Sequence, residues 1–249
     1  MTARLAEIWR HPLKAIGREA LDRVTLTPDA WIPFDRIWAV AHDRAQLADG
    51  WAVKANFLRG VTEPSLMAAT ATLDEAQGAL TLDHPVAGQI TLNPDDRAET
   101  PALMDWLSRL WPADLPAPTG VYRAADAHLT DVPDPWISIN STASHRAVEG
   151  RVGRSLSIHR WRGNLWLDGL GPWQEFEWIG KDIQIGDATL RVEQRITRCK
   201  ATMANPETGR RDADTLAALR TWDHQDFGVY ALVTNGAAIA VGDPVTVPQ

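Results

Sequence analysis

One cysteine, Cys199, stands among the 249 residues. That count removes every intramolecular disulfide, every structural zinc site built on cysteines and every self-contained four-cysteine iron–sulfur cluster. Positive charge is also short. Lys and Arg number 25 against 32 Asp and Glu, giving a formal net charge of −7 and a pI of about 5.5. Whole-molecule electrostatics therefore disfavour nucleic acid or an anionic membrane surface as a partner, and any anionic ligand must be met by a local basic cluster. Long apolar runs are missing as well. The first 17 residues carry charges every few positions, so they read as neither a signal peptide nor a membrane span, and a reducing, cytoplasmic compartment is the default expectation. Tyr and Phe are scarce, at two and four, whereas Trp reaches 12. The tryptophans are scattered rather than periodic, which points to core and rim aromatics and not to a repeat.

What is present suffices for a folded protein. With 45% hydrophobic and 23% charged residues the chain can build one large core or two modest ones. From Leu5 to about Asp96 short β segments alternate with turn signals: LAEIWRHPL, ALDRVTLT, RIWAVAHD, TATLD, ALTLD and GQITLN. TATLD and ALTLD, around Glu75 to Gly78, form an expected hairpin. Thr100 as N-cap and Pro101 at the first helical position start a helix that ends near Trp111 and Pro112. The stretch from Pro112 to Pro135 is rich in Pro, Ala and Asp without a sustained period, so residues 111–135 read as a linker or surface excursion between units at 4–110 and 136–248. Beyond it, WISINST is a strand entering a helix at Ser141–Thr142, and SLSIHRWRGNLWLDG reads as a strand pair. KDIQIGDATLRV and AAIAVGDPVTV share a strand, Gly-Asp turn, strand pattern that suggests closed or nearly closed antiparallel β architecture. Between them, a short helix starts near Ala213. The expected fold is mainly β with a few helices (α+β), in two barrel-like units.

Three segments carry candidate chemistry. Cys199 lies between Arg198 and Lys200, and cations so close should favour the thiolate, a soft metal ligand or nucleophile. The bland alternative is a buried small hydrophobe. No Ser-His-Asp or Cys-His arrangement is legible, because the seven His are dispersed. Arg160 and Arg162 would share one face of a strand, and with Gly163 and Asn164 they suit a phosphate-bearing polar ligand as well as they suit a solvated face with surface ion pairs. Ser141, Thr142 and Ser144 sit where a strand feeds a helix, a place for anion binding or for plain N-capping. Lys14 and Arg36 are ligand cations or ordinary loop charges.

The order of these segments resembles a known family. Lys14 in HPLKAIG, Asp35-Arg36-Ile37-Trp38, Ser141-Thr142-Ala143-Ser144, Arg160 through Asn164 with Asp168-Gly169, Cys199 in TRCKATMANPETG, and Phe227-Gly228-Val229-Tyr230 through VGDPV are similar to successive landmarks of the MOSC-domain proteins, in particular the branch of the mitochondrial amidoxime-reducing component and its bacterial relatives. The resemblance spans nearly the whole chain and implies an N-terminal MOSC β-barrel domain followed by a MOSC β-barrel domain. It also implies a molybdenum cofactor, Mo-molybdopterin, held by one protein cysteine, which Cys199 matches as metal ligand and catalytic residue. The family's phosphate and pterin contacts carry over to Lys14, Arg36, Ser141, Thr142, Arg160, Arg162, Asn164, Thr197, Arg198 and Tyr230. At Ala15 the chain departs from the Ser of many relatives.

The reaction so implied is reductive removal of oxygen from small N-hydroxylated substrates such as amidoximes and hydroxylamines. No iron–sulfur cluster is expected in this chain, and the ferredoxin domain fused to some relatives is not present before Gln249. Electrons would then come from a separate donor protein, ferredoxin-like, a flavoprotein or cytochrome b5-like. The alternative on the same scaffold is cofactor binding, sulfuration or delivery, with Cys199 as a persulfide carrier and cofactor-biosynthesis proteins as partners. Trp136, Trp161 and Trp173 are the tryptophans nearest the proposed site in sequence, for a substrate funnel or, more simply, for core packing.

Overall fold

Alternating burial turns the short apolar segments into strands, seen in a computed structural model that describes residues 3–247. The first half contributes β1 (Arg4–Arg10), β2 (Glu19–Leu21), β3 (Arg23–Thr25), β4 (Trp38–His42), β5 (Thr70–Asp74), β6 (Ala79–His84), β7 (Gly88–Leu92), helix α1 (Thr100–Ser108) and β8 (Pro118–Arg123). The second half contributes β9 (Trp136–Ser141), α2 (Thr142–Val152), β10 (Leu165–Asp168), β11 (Asp182–Ile185), β12 (Ala188–Thr197), α3 (Thr215–Arg220), β13 (Asp226–Asn235), β14 (Ala238–Ala240) and β15 (Val245–Thr246). The protein is mainly β, as expected.

The largest sheet has eight strands in the order β15-β11-β12-β13-β9-β10-β1-β2. β1 and β2 thus leave the first half and pair beside β10, with Leu5 opposite Leu167 and Ile8 opposite Leu165. Their apolar side chains join Ile139, Val192 and Val229 in one buried core. Two features qualify the expectation of closed or nearly closed antiparallel β architecture. β9 and β10 run parallel, and no sheet closes on itself as a ladder among the described residues. Between β15 and β1 there is only an isolated bridge, Arg4 to Pro244, flanked by Leu5 N–H to Asp243 O at 2.9 Å and Val245 N–H to Ala3 O at 2.8 Å. Pro244 has no N–H to donate, so continuous pairing stops there.

A three-stranded sheet β5-β6-β7 contains the expected hairpin, with Asp74 opposite Ala79. It packs with α1 around Leu80, Leu82, Leu103, Trp106 and Leu107. Helix α1 begins one residue earlier than expected: Glu99 is the N-cap, Thr100 is the first helical residue, and no side chain caps it. Glu99 instead accepts from the Asn93 N–H at 2.8 Å. The Pro112–Pro135 stretch contains β8, which pairs with β4. Pairing with a distant strand leaves no local period to read there.

The strand pair expected over SLSIHRWRGNLWLDG is also corrected. Only Leu165–Asp168 is strand; Ile158–Trp161 is a 3₁₀ turn, capped by Ser157 and ended by Arg162 in the left-handed region (φ 48°). Trp161 drives this. It is 1% exposed and stacks on Phe227 with ring centroids 3.8 Å apart, in an aromatic core beneath α2 and α3.

Candidate cofactor site

A cavity of about 550 Å³ opens where both halves of the chain meet. From the first half come Lys14 and Ala15, in the turn after β1, Arg36 before β4, and the Lys54–Met67 stretch; from the second come Trp136 and Ser138 on β9, the Arg160–Asn164 turn, Tyr230 on β13, and Gln194 to Thr202 with Cys199. Cys199 is exposed and caps a 3₁₀ turn over Lys200–Met203, in which its carbonyl accepts from the Thr202 N–H at 3.1 Å.

The lining is strongly cationic. Lys14, Arg36, Lys54, Arg59, Arg160, Arg162, Arg195 and Arg198 face one carboxylate, Asp131, among the described residues. This is the local basic cluster that an acidic chain needs for an anion. Lys14 donates to Leu129 O at 2.7 Å and to Asp131 Oδ1 at 2.8 Å. Burial pushes the Lys14 ammonium down, against the pull of Asp131. Burial likewise opposes the charge of Asp131, but Lys14 and Lys54 hold it well below the usual carboxylate range.

Arg36 adopts a left-handed backbone (φ 54°) and is gripped at both ends of its guanidinium, by Asp35 and by the Arg162 carbonyl at 2.8 Å. Asp35 is 3% exposed and also accepts the His11 N–H at 2.8 Å. Although burial opposes it, the Arg36 charge and the His11 hydrogen bonds keep Asp35 ionised far below its ordinary range. Arg162 is held by one bond, from Nη1 to Gly17 O at 3.1 Å, while its Nη2 is buried with no partner. Burial first, then the charge of Arg36, lowers Arg162 to about 9. An arginine does not shed its proton at neutral pH, so Arg36 and Arg162 form a cationic pair with spare donor capacity facing the cavity.

The other candidates divide by how much capacity they retain. Arg198 is spent on the protein: Nε to Phe227 O at 2.8 Å, Nη1 to Trp161 O at 2.7 Å and Nη2 to Asn140 Oδ1 at 3.1 Å. It anchors the backbone directly before Cys199. Arg160 points toward the Cys199 loop, with Nη1 to Met203 O and Ala204 O and Nη2 to Asp212 at 2.6 Å. The shared face expected for Arg160 and Arg162 does not exist, because Arg160 lies within the 3₁₀ turn and Arg162 is the left-handed residue that ends it. Asn164 is committed to Ser138 and to Trp9 O, and Thr197 donates to Asp226 at 2.7 Å. Tyr230 lines the cavity beside Trp136, with rings 5.6 Å apart. Burial raises its phenol above the ordinary value, with Arg198 opposing.

Ser141 and Thr142 lie outside the lining. The Ser141 hydroxyl accepts from the Ser144 N–H at 3.3 Å as the cap of α2, and Thr142 donates to Asp168 at 2.6 Å. Of the three tryptophans, Trp136 and Trp161 reach the cavity. Trp173 packs on Phe176 and Trp222 instead. Sequence reasoning missed Lys54, Arg59, Asp131 and Ser138. Lys54, Arg59 and Asp131 are lone polar residues in stretches without a motif, and Ser138 lies within WISINST, where the reading went to Ser141 and Thr142 instead. Their convergence is a product of loop packing, as where Trp51 Nε1 donates to Thr130 O at 3.2 Å.

Residues 2–117 match the MOSC N-terminal beta barrel domain, and residues 126–246 match the MOSC domain. Over 138 residues the chain is 30% identical to mitochondrial amidoxime-reducing component 1 of Mus musculus and 28% identical to that of Homo sapiens. Each match covers 50% of this chain and 40% of the relative, so the chain spans well under half the length of either. The solved YUAD protein from Bacillus subtilis superposes with a TM-score of 0.47 at 12% identity, covering 98% of this chain and 94% of that one. The chain belongs to the MOSC-domain proteins, with a MOSC N-terminal beta barrel domain preceding the MOSC domain.

Proposed function

We propose that this protein binds a molybdenum pterin cofactor through Cys199 and reduces small N-hydroxylated compounds, such as amidoximes and hydroxylamines. The observation that carries the reading is the exposed thiol of Cys199 in a cavity lined by many cations and one carboxylate. The residues fit such a group. Arg162 Nη2 is an orphaned, buried donor, suited to a phosphate oxygen. Among the described residues no three His, Cys, Asp or Glu side chains cluster as a metal site, so a metal here takes one protein thiolate and draws its other ligands from elsewhere. A single soft sulfur donor suits molybdenum already held by sulfur.

Lys14, Arg36 and Arg162 would hold the phosphate, and Asp35 keeps Arg36 aimed by accepting from its guanidinium. Arg198, Arg160 and Asn164 build the frame. They tie the Cys199 loop and the Arg162 turn to β9 and β13, so that the thiol and the cations keep a preset spacing. Tyr230 keeps its proton at Oη and can donate a hydrogen bond, while Trp136 beside it offers an apolar wall.

When bound, the cofactor supplies an acceptor for the substrate's oxygen and a store for two electrons. Overall, an N-hydroxyl compound takes up two electrons and two protons, the N–O bond breaks, and the N–H product and water leave. The electrons come from a separate donor protein, in a cytoplasmic setting. No helix among the described residues is long and apolar enough to cross a membrane.

Protein expressed in a host that makes the cofactor should contain molybdenum near one per chain, and Cys199→Ala should lose both the metal and benzamidoxime reduction with an artificial electron donor. A molybdenum-free wild type from such a host would refute the proposal. Loaded protein that reduces no N-hydroxylated compound would assign Cys199 to persulfide transfer and cofactor delivery.

A further inference from the structure

Asp131 lies between two ammonium groups, Lys14 Nζ at 2.8 Å and Lys54 Nζ at 3.1 Å. The three differ in their freedom. The Lys14 side chain is 7% exposed and needs an anionic partner, whereas the Asp131 side chain is 48% exposed and can return to water. Desolvating a cation without a counter-charge is costly, so beside the Leu129 carbonyl that it bonds at 2.7 Å, Lys14 calls for an anion. The segment bearing Asp131 is otherwise pinned, by Leu129 N–H to Arg36 O at 2.7 Å and Thr130 Oγ1 to Val132 O at 2.6 Å, so its side chain can swing out without moving the backbone. One monoanion leaves this pair of lysines with a net positive charge. Arg59 and Arg162, also in the lining, have no carboxylate partner among the described residues.

We infer that Lys14 and Lys54 form an anion position which Asp131 fills as an internal stand-in, and that a phosphate-class dianion exchanges with this carboxylate. A dianion with three or more acceptor oxygens can satisfy both ammonium groups and neutralise both charges, which one carboxylate cannot. The stand-in keeps the buried lysine paired when no ligand is present and competes with the ligand for it. This exchange rests on the assignment of Lys14 to the cofactor's phosphate but not on the redox reading, because it is testable in protein without metal.

The test uses full-length protein from a host unable to make the pterin cofactor, titrated calorimetrically with inorganic phosphate. Asp131→Asn should bind phosphate about tenfold more tightly than wild type, since the competing charge is gone. The gain should vanish in Asp131→Asn/Lys54→Gln. A second measurement needs no variant: the ¹³C signal of the Asp131 carboxyl in wild type, followed on adding phosphate and, separately, in protein from a cofactor-making host. Movement of that signal upholds the exchange, and the arm in which it occurs distinguishes free phosphate from the cofactor's phosphate. Equal phosphate affinity of wild type and Asp131→Asn, a gain that survives Lys54→Gln, or a carboxyl signal unmoved in both arms overturns it.

Discussion

Gly163→Ala tests how the site is held together. Gly163 does not have a positive φ, so its backbone conformation does not demand glycine; space does. A Cβ there would overlap the Asn140 amide, coming within 2.6 Å of its Cγ. Gly228 crowds the same side chain from the other side, where a Cβ would come within 2.5 Å of Asn140 Oδ1 and 2.7 Å of Ile139 O. Asn140 therefore has nowhere to retreat, and it is fully buried. Displacing it breaks the 3.1 Å bond from Arg198 Nη2, leaving a buried guanidinium short of an acceptor next to Cys199. Overpacking costs about 1–3 kcal/mol, and a hydrogen bond to a charged group contributes about 1.5–3 kcal/mol. Together they predict a loss of roughly 3–5 kcal/mol and a fall in Tm on the order of 10 °C for a chain of this size. Thermal and urea unfolding followed by circular dichroism measure it. In an Asn140→Ala background the added Gly163→Ala should cost little, because the clash is gone. A Gly163→Ala protein that melts within about 2 °C of wild type would refute the reasoning.

The remaining predictions separate function from stability. Arg162→Ala should weaken phosphate binding about 10- to 100-fold, the value of a charged hydrogen-bond donor; its Tm should hardly move, because the lost bond to Gly17 O is offset by relief of an orphaned Nη2 and of repulsion from Arg36. A fallen Tm with unchanged phosphate binding would make the arginine structural. Glu175 is fully buried, takes the Ser144 hydroxyl at 2.8 Å, and is raised by burial to about 7. Its folded pKa exceeds the unfolded one, so the stability it contributes is complete below the ordinary carboxylate range and is lost as pH rises through about 7. The stability difference between wild type and Glu175→Gln should therefore drift by about 3 kcal/mol between pH 4 and 8 in urea titrations, and a flat difference would count against a buried neutral acid. Gly150→Ala, in the body of α2 with open space around the added Cβ, should stabilise by roughly 0.5–1 kcal/mol in the same assay.

Features written in local pattern were legible from the chain alone. The β5–β6 hairpin, the Gly186-Asp187 turn between β11 and β12, and the start of α2 after Ser141 follow from period and turn chemistry. The second Gly-Asp pattern was read as strand, turn, strand, and the structure sends its halves to different sheets: β14 pairs with β3 and β15 with β11. Partner choice depends on what lies across the ladder, which no local pattern encodes. The Ile158–Trp161 turn departed from its alternation because burial of Trp161 against Phe227 outweighs local strand preference.

Composition by itself determined that the protein can offer a metal one thiolate, at Cys199, and that an anion would need local cations in a chain of net charge −7. Both follow from counting, so no fold can change them. The tertiary structure decided which cations remain available. It spent Arg198 and Arg160 on carbonyls, Asn140 and Asp212, turned Ser141 and Thr142 to capping, and left Arg162 with an unpartnered nitrogen. It also brought Lys54 and Asp131 against Lys14. The physical reason is that a charged group's free capacity is what remains after its neighbours are satisfied, and those neighbours come from segments more than a hundred residues apart: Arg36 meets the Arg162 carbonyl, and Lys14 meets Asp131.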